Sequence, residues 1–267
     1  MKRGLYSQAD ADAAPGDEPL TGVAAGFLAM LPLLAAYEWG QDATGGARRN
    51  VGERLLTLAF EPFGDADVWI RRAACCAAAL AAWLALRGAG VRARAAVSRV
   101  VLEGVVGAIV LGPLLVVGMA LLGAHAPAGL APAGTGEPPP LGEGALLVGG
   151  SAWEELCFRL GGYGLCFVLA AAPLRALGLG ETWTRRLAEA SGLVGSSALF
   201  AVAHLARFNA RLGPGGARFE PGHFTWLCLA GLLLGLLFRL RGPGVAAWSH
   251  ALFNLGLYLG VDPDVLA

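Results

Sequence analysis

Seven apolar stretches, each near the length of a membrane crossing, constrain this chain before anything else does. They are Leu20 to Trp39, Val68 to Leu86, Val101 to Ala124, Ala145 to Ala172, Ala190 to Phe208, His223 to Leu240 and Val245 to Gly260. A helix needs about 20 apolar residues to cross the hydrocarbon of a bilayer. In lipid every backbone N–H and C=O must be paired inside the protein, so runs of this length cross as helices. The expected fold is all-α, a polytopic membrane helix bundle with about seven transmembrane helices.

Composition points the same way. Of the 267 residues, 56% are hydrophobic and 15% are charged, against about 25% charge in soluble domains. The formal net charge is zero, so no basic surface invites nucleic acid. The expected partner is the lipid bilayer. Abundant alanine and glycine suit close helix packing in lipid. Cys75, Cys76, Cys157, Cys166 and Cys228 all lie in apolar runs without a C-x-x-C pair, and read as small buried hydrophobes.

Residues 1–19, with the acidic stretch Asp10 to Glu18, read as a disordered N-terminal tail, and residues 20–267 as a single transmembrane domain. The segment His125 to Gly144 is rich in proline and glycine and has no lysine or arginine. It reads as an irregular loop on the translocated side. Arg87, Arg92, Arg94 and Arg99, then Arg175, Arg185 and Arg186, then Arg239 and Arg241 mark cytoplasmic loops. They place the N-terminus inside and the C-terminus outside. Arg48, Arg49 and Arg54, with Arg207, Arg211 and Arg218, run against that bias. Between Gln41 and Asp67 the chain is expected to be loop or to hold a short interfacial helix near Glu53 to Phe60.

The fourth run carries charge at its centre: Glu154, Glu155 and Arg159, in SAWEELCFRLGGYGLCF. Each charge at such depth costs about 2.5–3.5 kcal/mol on insertion scales, so partners or a polar cavity must offset it, and the default reading is a functional site. Glu155 and Arg159 are four apart, on one helical face, which suits an ion pair. Glu154 is turned about 100° from Glu155. One glutamate can therefore be structural while the other faces a reaction cavity.

Two later runs add Phe200 with His204, and His250 with Asn254, each pair four apart. A buried carboxylate and a histidine can share a water as general base. A second histidine and an amide can donate to an oxyanion. That set suffices to hydrolyse an amide bond without a nucleophilic side chain. Each residue alone also has a plain structural reading: a histidine or Asn254 bridging helices, or a Glu–Arg pair that only packs. His125 and His223 are expected to be solvated or interfacial, and Glu38 and Glu103 to reach the interface from helix ends. Other protease chemistries fail. There is no H-E-x-x-H, no G-x-S-x-G and no mid-membrane aspartate pair, and Cys157 would need a base of its own.

Taken in order, Glu154–Glu155–Arg159, Phe200–His204 and His250–Asn254 resemble the motif blocks of the CPBP intramembrane proteases, also called the CAAX protease and bacteriocin-processing or Abi family. The resemblance covers about residues 145 to 260, and the first 140 residues add no motif. It implies an intramembrane glutamic endopeptidase whose site opens into a cavity of the bundle. By that resemblance Glu154 activates water with His204, and His250 and Asn254 form the oxyanion site. Glu155 and Arg159 support the motif helix, and Phe200 packs beside the site. No cofactor is implied; the alternative is zinc on Glu154, His204 and His250. Where a glycine commonly follows the arginine, this chain has Leu160, then Gly161 and Gly162.

The substrate implied is a membrane-associated protein or peptide, cut near its C-terminus. A myxosortase-like role would remove C-terminal anchors in surface sorting; peptide maturation and immunity are the other roles. The Ala/Gly/Arg-rich sequence fits a GC-rich bacterium, hence its inner membrane, and weighs against prenylated tails. From another class stand a non-catalytic scaffold, an immunity factor and a proton-coupled transporter using the same buried residues.

Overall fold

The computed structural model describes residues 18–46, 50–124, 141–205 and 218–259. All seven apolar runs form helices. They are α1 (Glu18–Ala43), α3 (Asp67–Gly88), α4 (Ala93–Leu122), α5 (Leu141–Glu154) continuing into α6 (Gly164–Ala176), α7 (Glu181–Ala203), α8 (Pro221–Arg241) and α9 (Pro243–Tyr258). Between α5 and α6 the helix widens into a π-helical segment, Glu155–Tyr163. A short helix α2 (Val51–Phe60) and a 3-10 turn (Glu61–Ala66) join α1 to α3, where the interfacial helix was expected. The expected tail falls mostly, and the proline-rich loop largely, outside the described residues, as do Arg48, Arg49, Arg207 and Arg211.

Among the described residues, five helices are long and apolar enough to cross a membrane: Thr21–Ala43, Asp67–Gly88, Ala93–Leu122, Leu141–Ala176 and Pro221–Arg241. The expected count of seven is thus not confirmed among these residues. The first half of α7 carries Glu181, Arg185, Arg186 and Glu189, which the hydrocarbon would exclude. At 16 residues, α9 is about 24 Å long, short of the roughly 30 Å core. It is apolar on all sides and packs against α1, α4, α5 and α8, as a buried core helix does.

The outer surface is that of a lipid-facing bundle. On α4, Leu102, Val106, Ile109, Val110, Leu114, Val117 and Leu121 are exposed, while Gly104, Leu115, Val116 and Met119 face inward. An apolar face of that extent marks an interaction surface, here with lipid. Inside, Met30, Leu33 and Tyr37 of α1 pack with Leu146, Ala152 and Trp153 of α5 and Ala247 and Ala251 of α9. The α1–α5 contact needs Gly149: a Cβ there would lie 2.4 Å from the Leu33 carbonyl oxygen, so small residues permit the approach.

Four expectations are corrected. His223 is buried, its ring 5.9 Å from that of Trp226, because α8 begins at Pro221 and carries it inward. Cys75, Cys157, Cys166 and Cys228 are half-buried, and Cys76, on α3, is exposed. The α7 helix ends at Ala203, not Phe208, and begins at Glu181. Glu38 does not merely reach the interface. It binds Arg71 and Arg72, each at 2.8 Å, which is how the two arginines that interrupt α3 are held.

Candidate active site

Glu154 closes α5 and Glu155 opens the π-helical segment. Segments of this kind recur at functional sites. The three charges of this block are enclosed: Glu154 is 6% exposed, and Glu155 and Arg159 are 0% exposed. Arg159 Nε lies 3.3 Å from Glu155 Oε2, and its guanidinium carbon 5.2 Å from the centre of the Phe200 ring. A cation over an aromatic face is favourable where water is absent. None of its three guanidinium nitrogens makes a well-formed hydrogen bond among the described residues.

Two histidines converge on Glu154 from other helices. His204, in the turn that ends α7, has Nδ1 2.8 Å from the Phe200 carbonyl oxygen and Nε2 3.8 Å from Glu154 Oε1. His250, on α9, has Nδ1 3.0 Å from Glu155 Oε1 and Nε2 3.6 Å from Glu154 Oε2. The two rings therefore share one design. Nδ1 is held by an acceptor, and Nε2 is presented to Glu154. A backbone carbonyl accepts only, so Nδ1 of His204 carries the hydrogen and its Nε2 is the basic nitrogen.

Phe200 packs at the side of this group. Its ring centre is 4.5 Å from that of His204, 6.0 Å from that of His250 and 5.4 Å from that of Phe158. Asn254, one turn beyond His250, donates from Nδ2 to Ser151 Oγ at 3.0 Å. Ser151 lies one turn before Glu155, so α5 and α9 are cross-linked by two polar rungs, Ser151–Asn254 and Glu155–His250.

The structure thus gathers Glu154, Glu155, Arg159, Phe200, His204 and His250, with Asn254 one rung away. His250 stands between both glutamates, an arrangement that assigning the carboxylates separate partners did not anticipate. Among the described residues no group of three His, Cys, Asp or Glu side chains is found that could hold a metal ion.

One contact went unforeseen. Asn50 Nδ2 donates to Glu154 Oε1 at 2.6 Å, across 104 residues of sequence. Asn50 also caps α2, its Oδ1 accepting from Gly52 N–H at 2.7 Å. The sequence does carry a cap signal, an asparagine three residues before Glu53. Nothing in it points to Glu154.

Residues 141–256 match the sequence model of the Type II CAAX prenyl endopeptidase Rce1-like family. The match begins with α5, ends near the close of α9 and contains all three motif blocks. Comparison with curated proteins and with solved structures finds no match. The family supports protease activity of the CAAX intramembrane type on membrane-associated proteins. Over residues 141–256 the chain is thus similar to the Rce1-like type II CAAX prenyl endopeptidases, in keeping with the CPBP resemblance, and the five apolar helices among the described residues support a multi-pass membrane protein.

Proposed function

We propose that this protein is an intramembrane endopeptidase of glutamic type, in which Glu154 and His204 activate water while His250 and Asn254 hold the oxyanion. The observation that carries the reading is the single carboxylate facing two histidine Nε2 atoms, one per oxygen. A water between Glu154 and His204 would give one hydrogen to each, leaving a lone pair for the scissile carbonyl. As the tetrahedral intermediate forms, the proton taken from water stays on the Glu154–His204 pair. It then passes to the departing amine.

Oxyanion stabilisation falls to the opposite side. His250 Nε2 donates when the ring carries both hydrogens, and the Glu155 carboxylate beside Nδ1 is the counter-charge for that form. Asn254 spends one Nδ2 hydrogen on Ser151 and has a second to offer. Arg159 in turn balances Glu155. Glu154 Oε1 already accepts an N–H donor from Asn50, which favours chemistry without a metal at that oxygen. The substrate is a membrane-associated protein or peptide cut near its C-terminus, with removal of C-terminal anchors in a bacterial inner membrane as the role.

Glu154→Gln keeps the shape of the side chain and removes the base. It is expected to abolish cleavage while the protein still inserts, and cleavage by the wild type is expected to withstand a strong chelator. Retained cleavage in Glu154→Gln overturns the mechanism. Activity lost to the chelator and restored by zinc overturns its metal-free form. Proton-coupled uptake into vesicles with no proteolysis would replace the reading by a transporter.

A further inference from the structure

We propose that Asn50 is a positioning residue for Glu154, so that the active site extends beyond the family segment into the N-terminal helices. The inference rests on the reading of Glu154 as the water-activating base. Its own basis is the geometry around Asn50.

Asn50 is held at every polar group. Its carbonyl oxygen accepts from Arg54 N–H at 3.0 Å, and its Oδ1 from Gly52 N–H at 2.7 Å. Its own N–H donates to the Tyr37 hydroxyl at 2.9 Å. These partners settle which end of the amide is which. A flipped side chain would set an oxygen against the Glu154 carboxylate and an N–H₂ against Gly52 N–H, losing both bonds. Nδ2 must face Glu154.

Tyr37 is itself fixed. Its hydroxyl accepts from Asn50 and from Gln41 Nε2 at 2.8 Å, and donates to Glu53 Oε2 at 2.5 Å. Glu53 is 2% exposed and is paired with Arg71, which also binds Glu38. A chain of buried and half-buried hydrogen bonds therefore runs from α1 and α3 through Tyr37 and Asn50 to Glu154. Hydrogen-bonded networks of this kind rigidify their members, and here Tyr37, Glu53 and Asn50 are each held by more than one partner.

Two glycines let the parts meet. A Cβ on Gly150 would lie 2.6 Å from Asn50 Nδ2, and one on Gly52 would lie 2.8 Å from Glu154 N and the Trp153 carbonyl. Cys157 adds a contact from Sγ to the Gly52 carbonyl oxygen at 3.1 Å. The start of α2 is thus seated directly on the end of α5. With Asn50 on one lone pair of Oε1, the carboxylate is held in one rotation, its Oε1 left facing His204 and its Oε2 facing His250.

A cap alone and a positioning residue predict different behaviour in Asn50→Ser. Serine keeps an oxygen for Gly52 N–H but is too short to reach Glu154. The full-length protein, in lipid nanodiscs, would be examined by infrared difference spectroscopy against Glu154→Gln, which isolates the Glu154 carboxylate band. Cleavage of a quenched fluorescent peptide with a farnesylated CAAX end would be followed in parallel. The expected result is a shifted Glu154 band and kcat lower by about a hundredfold, the scale of a misplaced reacting group, with KM little changed. An unmoved band, or an unchanged kcat beside a dead Glu154→Gln, overturns the positioning role. If Glu154→Gln itself still cleaves, the proposed mechanism falls first, and the positioning role with it. Should the wild type leave that peptide intact, the band alone decides. Where Asn50→Ser does not fold, Asn50→Asp retains volume and cap and sets a carboxylate against Glu154; the same loss is expected, and full activity overturns the proposal.

Discussion

Among the described residues two arginines are buried, and they are buried in different ways. Arg159, in the motif segment, is 0% exposed and has one carboxylate, Glu155, and one aromatic face, Phe200. Arg71, in the N-terminal half, binds both Glu53 and Glu38 and lies 5.5 Å from the Trp153 ring centre. It also lines a cavity of about 340 Å³ together with Glu38, Asp42, Glu53 and Arg72. Removing two charges from water costs several kcal/mol per ion, and a buried pair recovers this only with excellent geometry and further hydrogen bonds. Arg71 meets that condition better than Arg159 does. The Glu155–Arg159 pair is therefore a poor device for stability and a plausible one for chemistry, since it keeps a charged carboxylate beside His250.

The contrast can be tested by removing each cation. Arg159→Leu strands Glu155 where no water reaches, and should cost about 3–5 kcal/mol, the scale for breaking a buried pair. Arg71→Leu should cost less, about 1–3 kcal/mol, because Glu53 keeps the Tyr37 hydroxyl and borders the polar cavity. Denaturant unfolding in detergent micelles reads both, and a larger loss for Arg71→Leu would break the comparison. A smaller effect sharpens it. Gly52→Ala drives a Cβ into the backbone of Trp153 and Glu154 at 2.8 Å, whereas at Gly162 the nearest atom is 3.6 Å away. The first should cost about 1–3 kcal/mol as overpacking and lower cleavage. Gly162→Ala should change stability by about 0.5 kcal/mol or less, read in the same unfolding assay.

These differences also explain what could be read from sequence. Glu155 with Arg159 and Phe200 with His204 are relations within one helical turn, so spacing alone exposed them. The seven helices were visible because apolar length is a local property. That α7 and α9 do not meet the length and composition of a membrane crossing depended on charges in the first half of α7 and on Gly242–Pro243, which start α9 late. The Asn50–Glu154 contact spans 104 residues and Arg71–Glu53 spans 18. Both exist only after α1, α2, α3 and α5 have packed, and no periodicity encodes them. His250 bridging two glutamates is of the same kind. Its ring orientation is set by the packing of α9 on α5.

The most direct measurement is single-turnover cleavage of a membrane-anchored C-terminal peptide by wild-type and Glu154→Gln proteins matched for insertion. With Glu154 as the base, the variant should be slower by about 10²–10⁴-fold, the range of positioned acid–base catalysis. A Glu154→Gln protein that cleaves at the wild-type rate would contradict the account.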